Sequence, residues 1–516
     1  MRTKKYIFTI AAALTCIMSC KEDDLILSDP NVINPTIFYQ NATELESSVN
    51  AAYSFLQNHG MYGRTIFYLY DNLAHENTAT DALQGGLKSW LDYSFDASNE
   101  DTGFFWNAAY MGISSCNFVI TSNEEGLIQN VGEDEIKQRV AEAHFLRAFY
   151  YFYLTNTFNG VPLLTTLSSD TAGTPKSTQE EVYALIIEDL EFAKANLPEK
   201  GNTDEGRATK GAAQALLGKT YLFLEKWAEA KAEFEDITGY TIVGVDPRDN
   251  GNVEGEFNSE SIFEVQFSQE IGGSQWSTDG SGIRETTFRG VEYSPLNYAN
   301  VIVRPTLFAQ YEANDPRIKA YFYQAGDEFG GQRFPEGSEL PINGPVQFGD
   351  PDENGTMALE FTIATPYWRK YSNLDNQLTD GSSLYSGINF RVIRYADVLL
   401  MWAEAENELG NSSIAIDLMN RVRDRVNMPN YGTPEMDSEG YPVGSKEEIF
   451  QALIHERQVE LSGEQVRYFD LKRWGLLSQE ILGVGFQVGK HEWMPIPQLE
   501  IDGNPQMSQA DQNPEY

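Results

Sequence analysis

Two tryptophans stand where helical packing does not explain them. Trp90 closes the stretch 85–90 (GGLKSW) and Trp276 closes the stretch 272–276 (GGSQW), both in polar, glycine-bearing surroundings. A ring displayed by such a loop is a flat apolar platform, and nearby amides, carboxylates and guanidiniums supply directed hydrogen bonds. This combination suits a ligand with hydroxyls at its edges and C–H groups on its faces, which is the chemistry of a sugar ring. Tyr298, in the segment 294–298 (SPLNY), is a third candidate platform. By contrast, Trp106, Trp227, Trp402 and Trp474 lie in helical patterns and read as core, and Trp493 reads as structural.

A different chemistry is hinted at by Asp350, Asp352 and Asn354, which place oxygens at alternate positions before Gly355. The pattern resembles the opening of a calcium loop. Its twelfth position is Phe361, however, with Glu360 one residue early, and no helix pair flanks it. A turn rich in Asp, Asn and Gly is the better reading, so neither metal nor cofactor is expected. His75, His455 and His491 each precede a glutamate but lack the second histidine of a zinc-protease helix. There is no nucleophile elbow and no phosphate loop. A glycosidase needs only two carboxylates ~5–10 Å apart, and with 76 Asp+Glu in the chain that enzyme reading stays open as a rival to binding.

Of 516 residues, 37 are Lys or Arg against 76 Asp or Glu, a formal net charge of −39. So negative a surface repels phosphate backbones and argues against a nucleic-acid partner. A hydrophobic content of 41 % is far too high for a disordered chain. Three cysteines cannot form a disulfide scaffold, and Cys116, within an apolar helical run, reads as a buried inert thiol. The length fits three to four ordinary domains or one large architecture.

The N-terminus predicts an address. A basic start (Arg2, Lys4, Lys5) precedes an apolar run over 6–18, too short to span a bilayer, which needs about 20 residues. The run ends at Ser19-Cys20, which resembles the lipobox of bacterial lipoproteins, and Lys21 to Asp24 (KEDD) resembles a surface-export signal. The expectation is a signal peptide over 1–19 and acylation at Cys20, which anchors the chain without a transmembrane helix.

Helices must position any site. Asn41 to Glu44 opens a helix with a capping box, and Leu45, Val49, Ala52, Tyr53 and Leu56 recur with helical period. Further helices are expected over 104–122, around 141–154 (apolar nearly all round, hence central), over 180–197 and over 210–237. Gly218, Tyr221, Trp227, Ala228, Ala230 and Phe234 are spaced as in a tetratricopeptide hairpin, and a second such pair begins at Tyr395. Between these pairs, 239–366 is rich in Gly, Ser, Asn, Asp and Pro with short strand-like pieces such as 261–267. Loops this long are usually functional.

Six ordered motifs then resemble the SusD/RagB outer-membrane lipoproteins of Bacteroidetes. They are 31–39 (NVINPTIFY) with 45–53 (LESSVNAAY), 141–152 (AEAHFLRAFYYF) with 158–163 (FNGVPL), 394–400 (RYADVLL) with 403–407 (AEAEN), 456–457 with 467–474 (RYFDLKRW), 495–504 (PIPQLEIDGN) and 513–516 (NPEY). The resemblance runs from Cys20 to Tyr516, and most of its motifs are structural.

It implies a mostly α fold with four tetratricopeptide-like helix pairs and an irregular ligand face carrying short strands. Residues 20–516 form one domain: a helical part over 30–240, a loop-rich insert over 240–366 and a helical part over 367–516. It also implies an oligosaccharide or polysaccharide ligand and a SusC-like TonB-dependent transporter on which the protein sits as a lid. Further candidates come from regions the family uses for polar contacts: Tyr367, Trp368 and Arg369, and Asp71 and Asn72, expected just past the first helix. A neutral glucan or fructan suits the acidic surface. The alternatives are a lid for peptides or another nutrient and, less favoured, a glycoside hydrolase.

Overall fold

The computed structural model describes residues 38–167, 172–268, 285–294, 298–324, 327, 366–374, 386–481 and 485–516, with short strand pieces at 328–329, 332–333, 348–351 and 357–359. Helices dominate, and the strands are short pairs. Helix α1 (Ala42–Ser54) starts where expected: the Asn41 side chain accepts from the Glu44 amide, while the Glu44 carboxylate reaches back to Gln40. Its buried face is Leu45, Val49 and Ala52. Helix α2 (Thr65–Leu73) is buried on every side, followed by strand β1 (Asn77–Ala79) and helix α3 (Gly85–Asp92).

Two long helices, α4 (Glu100–Glu124) and α5 (Glu133–Phe158), pack together. The fit is close at Gly112, where an added Cβ would lie 2.3 Å from the Tyr150 ring. The central position expected for 141–154 holds, since Phe145, Leu146, Ala148, Phe149, Tyr150 and Tyr151 are all buried. Next come α6 (Gln179–Asn196), with a Thr178–Glu181 capping box, α7 (Lys210–Phe223) and α8 (Trp227–Glu235). At Gly218 a Cβ would meet the Phe234 ring at 2.4 Å, so the small residue is what lets α7 and α8 approach.

The second hairpin is α9 (Tyr395–Glu408) with α10 (Ser412–Arg425), packed on α11 (Lys446–Leu461) and followed by α12 (Arg467–Arg473). Strand β2 (Ser261–Val265) pairs antiparallel with β5 (Phe390–Arg394), and β1 with β3 (Val301–Val303). Tyr367–Trp368 (β4) pairs with Phe322–Tyr323.

The C-terminal half is stitched to the insert by ions taken out of water. Glu460 on α11 accepts from Arg394 (2.6 Å), Arg425 (2.7 Å) and Arg317 (3.1 Å), and all four side chains are at most 2 % exposed. Arg394 continues to Glu260 and Glu464, and Arg317 to Asp315 and Glu456. Burial by itself would raise the Glu460 pKa. The three guanidiniums overcome that and hold the carboxyl well below its ordinary range.

Candidate functional site

The structure gathers most of the expected site regions into one place, but mainly as a buried layer. Asp71 and Asn72 lie inside α2, not past a helix end, and both are fully buried. The sign was in the sequence: 66–73 (IFYLYDNL) is apolar on all sides, the mark of an interior helix. Asn72 donates to the Leu87 carbonyl of α3 and accepts from Asn77 at 2.8 Å. Asn77 in turn donates to the Tyr293 hydroxyl and accepts from the Trp368 indole at 2.7 Å. Asp71 accepts from Gln465 at 3.0 Å and pairs with Arg289 at 3.4 Å. The Arg289 guanidinium lies between the rings of Tyr371 and Tyr293, 4.7 and 4.9 Å from their centroids.

This corrects several expectations. Trp90 is not displayed by a loop. The two glycines begin helix α3, and the ring is 0 % exposed. Trp368 is likewise 0 % exposed and Tyr367 only 1 %, because β4 lies inside the sheet edge it forms with 322–323. Rings covered in this way offer no face to a sugar. Arg369 is half-buried, donates to the Lys319 carbonyl and lies over the Tyr323 ring at 5.2 Å. Trp276, Asp352, Asn354 and Cys20 lie outside the described residues, and Asp350 falls in the strand piece Phe348–Pro351, where only the backbone is described.

Among the described candidates Tyr298 is the most exposed, at 38 %. Its amide donates to Val291, and the next residue, Ala299, holds a left-handed φ of +45°. The β1–β3 pair fixes this turn against the segment after β1: Thr80 donates from its amide to Asn300 and from its hydroxyl to Ala299 at 2.7 Å. Asp81 and Gln84 are exposed on that segment, and Gln84 accepts from Arg64, whose charge is matched by the buried Glu292 at 2.8 Å. Thr80, Asp81 and Gln84 were not singled out in the sequence, where nothing distinguishes them from solvated turn residues. The pairing of β1 with β3 brings the segment that carries them to the Tyr298 turn through Thr80. The result is an exposed phenol on a rigid base, with the exposed Asp81 and Gln84 carried by the segment that Thr80 ties to the same turn.

The three histidines paired with glutamates are structural. His75 Nε2 contacts the Leu91 carbonyl, His455 bridges Tyr431 and the Gln310 carbonyl, and His491 accepts from the Gln487 amide. Burial first, and Arg304 second, push His75 down to about 4. Cys116 is fully buried, and its burial pushes the thiol pKa up. Among the described residues no cluster of three or more His, Cys, Asp or Glu is placed to hold a metal, and no helix is long and apolar enough to cross a membrane.

Beneath the site, Glu76 is the titrating group. One oxygen accepts from the Gly463 amide at 3.0 Å, and the other has no hydrogen-bond partner among the described residues. Burial and then the charge of Asp71 push this carboxyl up from 4.5 to about 8. A raised carboxyl means the folded state holds a proton that the unfolded state has released, so stability falls as pH rises from about 4.5 to about 8. Glu76→Gln, which mimics the protonated form, is expected to remove this slope and to stabilise by about 2 kcal/mol at pH 8. Thermal melts of both proteins at pH 5 and pH 8 check this, and parallel pH profiles would refute it.

Residues 229–485 match a family profile described as the SusD family, and residues 35–222 match one described as "Starch-binding associating with outer membrane". A SusD-like protein from Formosa agariphila is 26 % identical, covering 98 % of this chain and 97 % of its own. A SusD-like protein from Bacteroides ovatus is 25 % identical, covering 75 % of this chain and 68 % of its own. Among solved structures, a laminarin-binding SusD-like protein superposes with a TM-score of 0.75 at 26 % identity, over 93 % of this chain and 100 % of that one. A SusD superfamily protein from Bacteroides vulgatus superposes with a TM-score of 0.73 at 25 % identity, with the same coverage.

Proposed function

The chain belongs to the SusD family of carbohydrate-binding proteins, and from that premise we propose that it captures a neutral oligosaccharide or polysaccharide at the outer-membrane surface. In this reading it binds without catalysis and delivers the glycan to a SusC-like TonB-dependent transporter, for which it serves as the lid. The lipobox before Cys20 supports a lipid anchor, and the family description names association with the outer membrane. Tyr298 carries the proposal: an exposed ring, held by a strained turn that Thr80 ties to the segment of the exposed Asp81 and Gln84, offers an apolar platform on a face that also bears hydroxyl-binding groups. A net charge of −39 favours a neutral ligand, and laminarin, the ligand of a structural relative, is the first glucan to try.

The test is affinity electrophoresis of the lipid-free chain from residue 21 onward against laminarin, other neutral glucans, fructans and a polyanionic control. One neutral glycan should retard the protein, and Tyr298→Ala should weaken that binding about five- to tenfold through loss of stacking. If no glycan retards the protein, or if Tyr298→Ala binds like the parent, the reading fails at the ligand or at the site respectively.

A further inference from the structure

A cavity of about 450 Å³ opens between the end of α1, the loop before α7 and the end of β2. None of Tyr298, Thr80, Asp81 or Gln84 lines it. Glu285 lines the cavity, while Tyr293 belongs to the buried layer beneath Tyr298. The volume falls within the range of ordinary small-molecule pockets, ~300–1,000 Å³.

Its walls are held in place by their own hydrogen bonds. Gln57 donates to the Gln266 carbonyl and Gln266 to the Glu205 carbonyl, each at 2.8 Å. Gly206 has a φ of +84°, and a Cβ there would sit 1.4 Å from Gln266 Nε2, so the loop can lie under that amide only as glycine. Arg207 spends its guanidinium on Glu46, Asn50 and Glu142, and the Tyr53 hydroxyl accepts from the Ala208 amide.

In this arrangement the wall's donors are turned inward and its acceptors are left over. Gln57, Gln266, Glu205 and Glu285 line the cavity, and neither the two amide oxygens nor the two carboxylates have a hydrogen bond among the described residues. Such a wall complements a ligand rich in hydroxyl donors, and its carboxylates repel anions.

We infer that this cavity is a second saccharide site, separate from Tyr298, that takes a neutral hydroxyl-rich unit. Two positions on one chain would let a long glycan bind more tightly than either site alone, because the second contact becomes intramolecular. The inference rests on the carbohydrate-binding reading for its ligand class but not on Tyr298.

The test is calorimetric titration of the lipid-free chain with laminarihexaose, maltohexaose, cellohexaose and an inulin hexasaccharide. Three variants accompany the parent: Tyr298→Ala, Ser54→Trp to fill the cavity, and Gln57→Ala to remove an acceptor without adding bulk. Thermal melts confirm that each is folded. One hexasaccharide should bind Tyr298→Ala with residual affinity. Ser54→Trp added to that variant should abolish the residual binding, and Gln57→Ala should weaken it about threefold to tenfold. If Tyr298→Ala abolishes all binding, the second site is overturned and the first stands. If the residual binding ignores both Ser54→Trp and Gln57→Ala, the cavity is overturned. Binding of spermidine or Ca²⁺ in place of any hexasaccharide makes the cavity a cation trap and overturns the inference. Absence of hexasaccharide binding in the parent overturns both readings.

Discussion

Glu460→Ala is expected to destabilise the protein by about 3–5 kcal/mol, because it takes from three buried guanidiniums the carboxylate they share. Arg394, Arg425 and Arg317 all donate to this carboxylate in a region without solvent. Without it, Arg394 still meets Glu260 and Glu464, and Arg317 still meets Asp315 and Glu456. Arg425 keeps Glu260, and each of the three guanidiniums loses a buried partner that no water replaces. Arg317 comes from the insert and Arg394 from the strand leading into α9, so the loss loosens the insert from the helical half.

Because the Glu460 carboxyl is held below its ordinary range, its contribution is present above that range and disappears as pH falls. Urea unfolding at pH 7 measures the effect, and Glu460→Gln should fall between parent and alanine because it keeps the shape but not the charge. A Glu460→Ala midpoint matching the parent's would mean that the arginines find water or other carboxylates.

Trp368→Ala is expected to cost a similar ~3–5 kcal/mol, as deletion of a large core ring does. The ring lies 5.5 Å from that of Phe322, and a Cβ on Gly463 would be 2.7 Å from it, so the space it fills is bounded by residues from three distant segments. Its indole is also the donor to Asn77, which leads to Asn72 and α3. Trp368→Phe, which refills most of the volume but not the hydrogen bond, should cost about half as much. The distinguishing readout is glycan affinity at a temperature where every variant is folded: a scaffold role predicts a lowered melting temperature with affinity changed less than about threefold. A large loss of affinity with an unchanged melt would restore Trp368 as a ligand platform.

The helical scaffold was legible in the sequence because its determinants are local. Periodic apolar residues, the Asn41 cap and the glycine at 218 are each read within one or two turns, and the structure confirms α1, α6, α7, α8 and α9 close to the expected bounds, while α5 starts eight residues before the expected 141. The family resemblance rests on the same structural motifs, which is why fold and family could be named before any site. The candidate site was legible only as regions. Asp71, Asn72 and Trp368 were singled out as regions where the resembled family makes polar contacts, and the structure joins Asn72 and Trp368 through Asn77.

The sequence by itself therefore determined the helix positions, the acidic surface and the family. Tertiary structure alone decided which aromatic rings meet solvent. Exposure depends on what covers a side chain, and the covering groups come from far along the chain. Gln465 reaches Asp71 across 394 residues, and Trp368 reaches Asn77 across 291. The segment after β1 and the turn before β3 meet only when those strands pair, and no periodicity within either segment encodes that meeting.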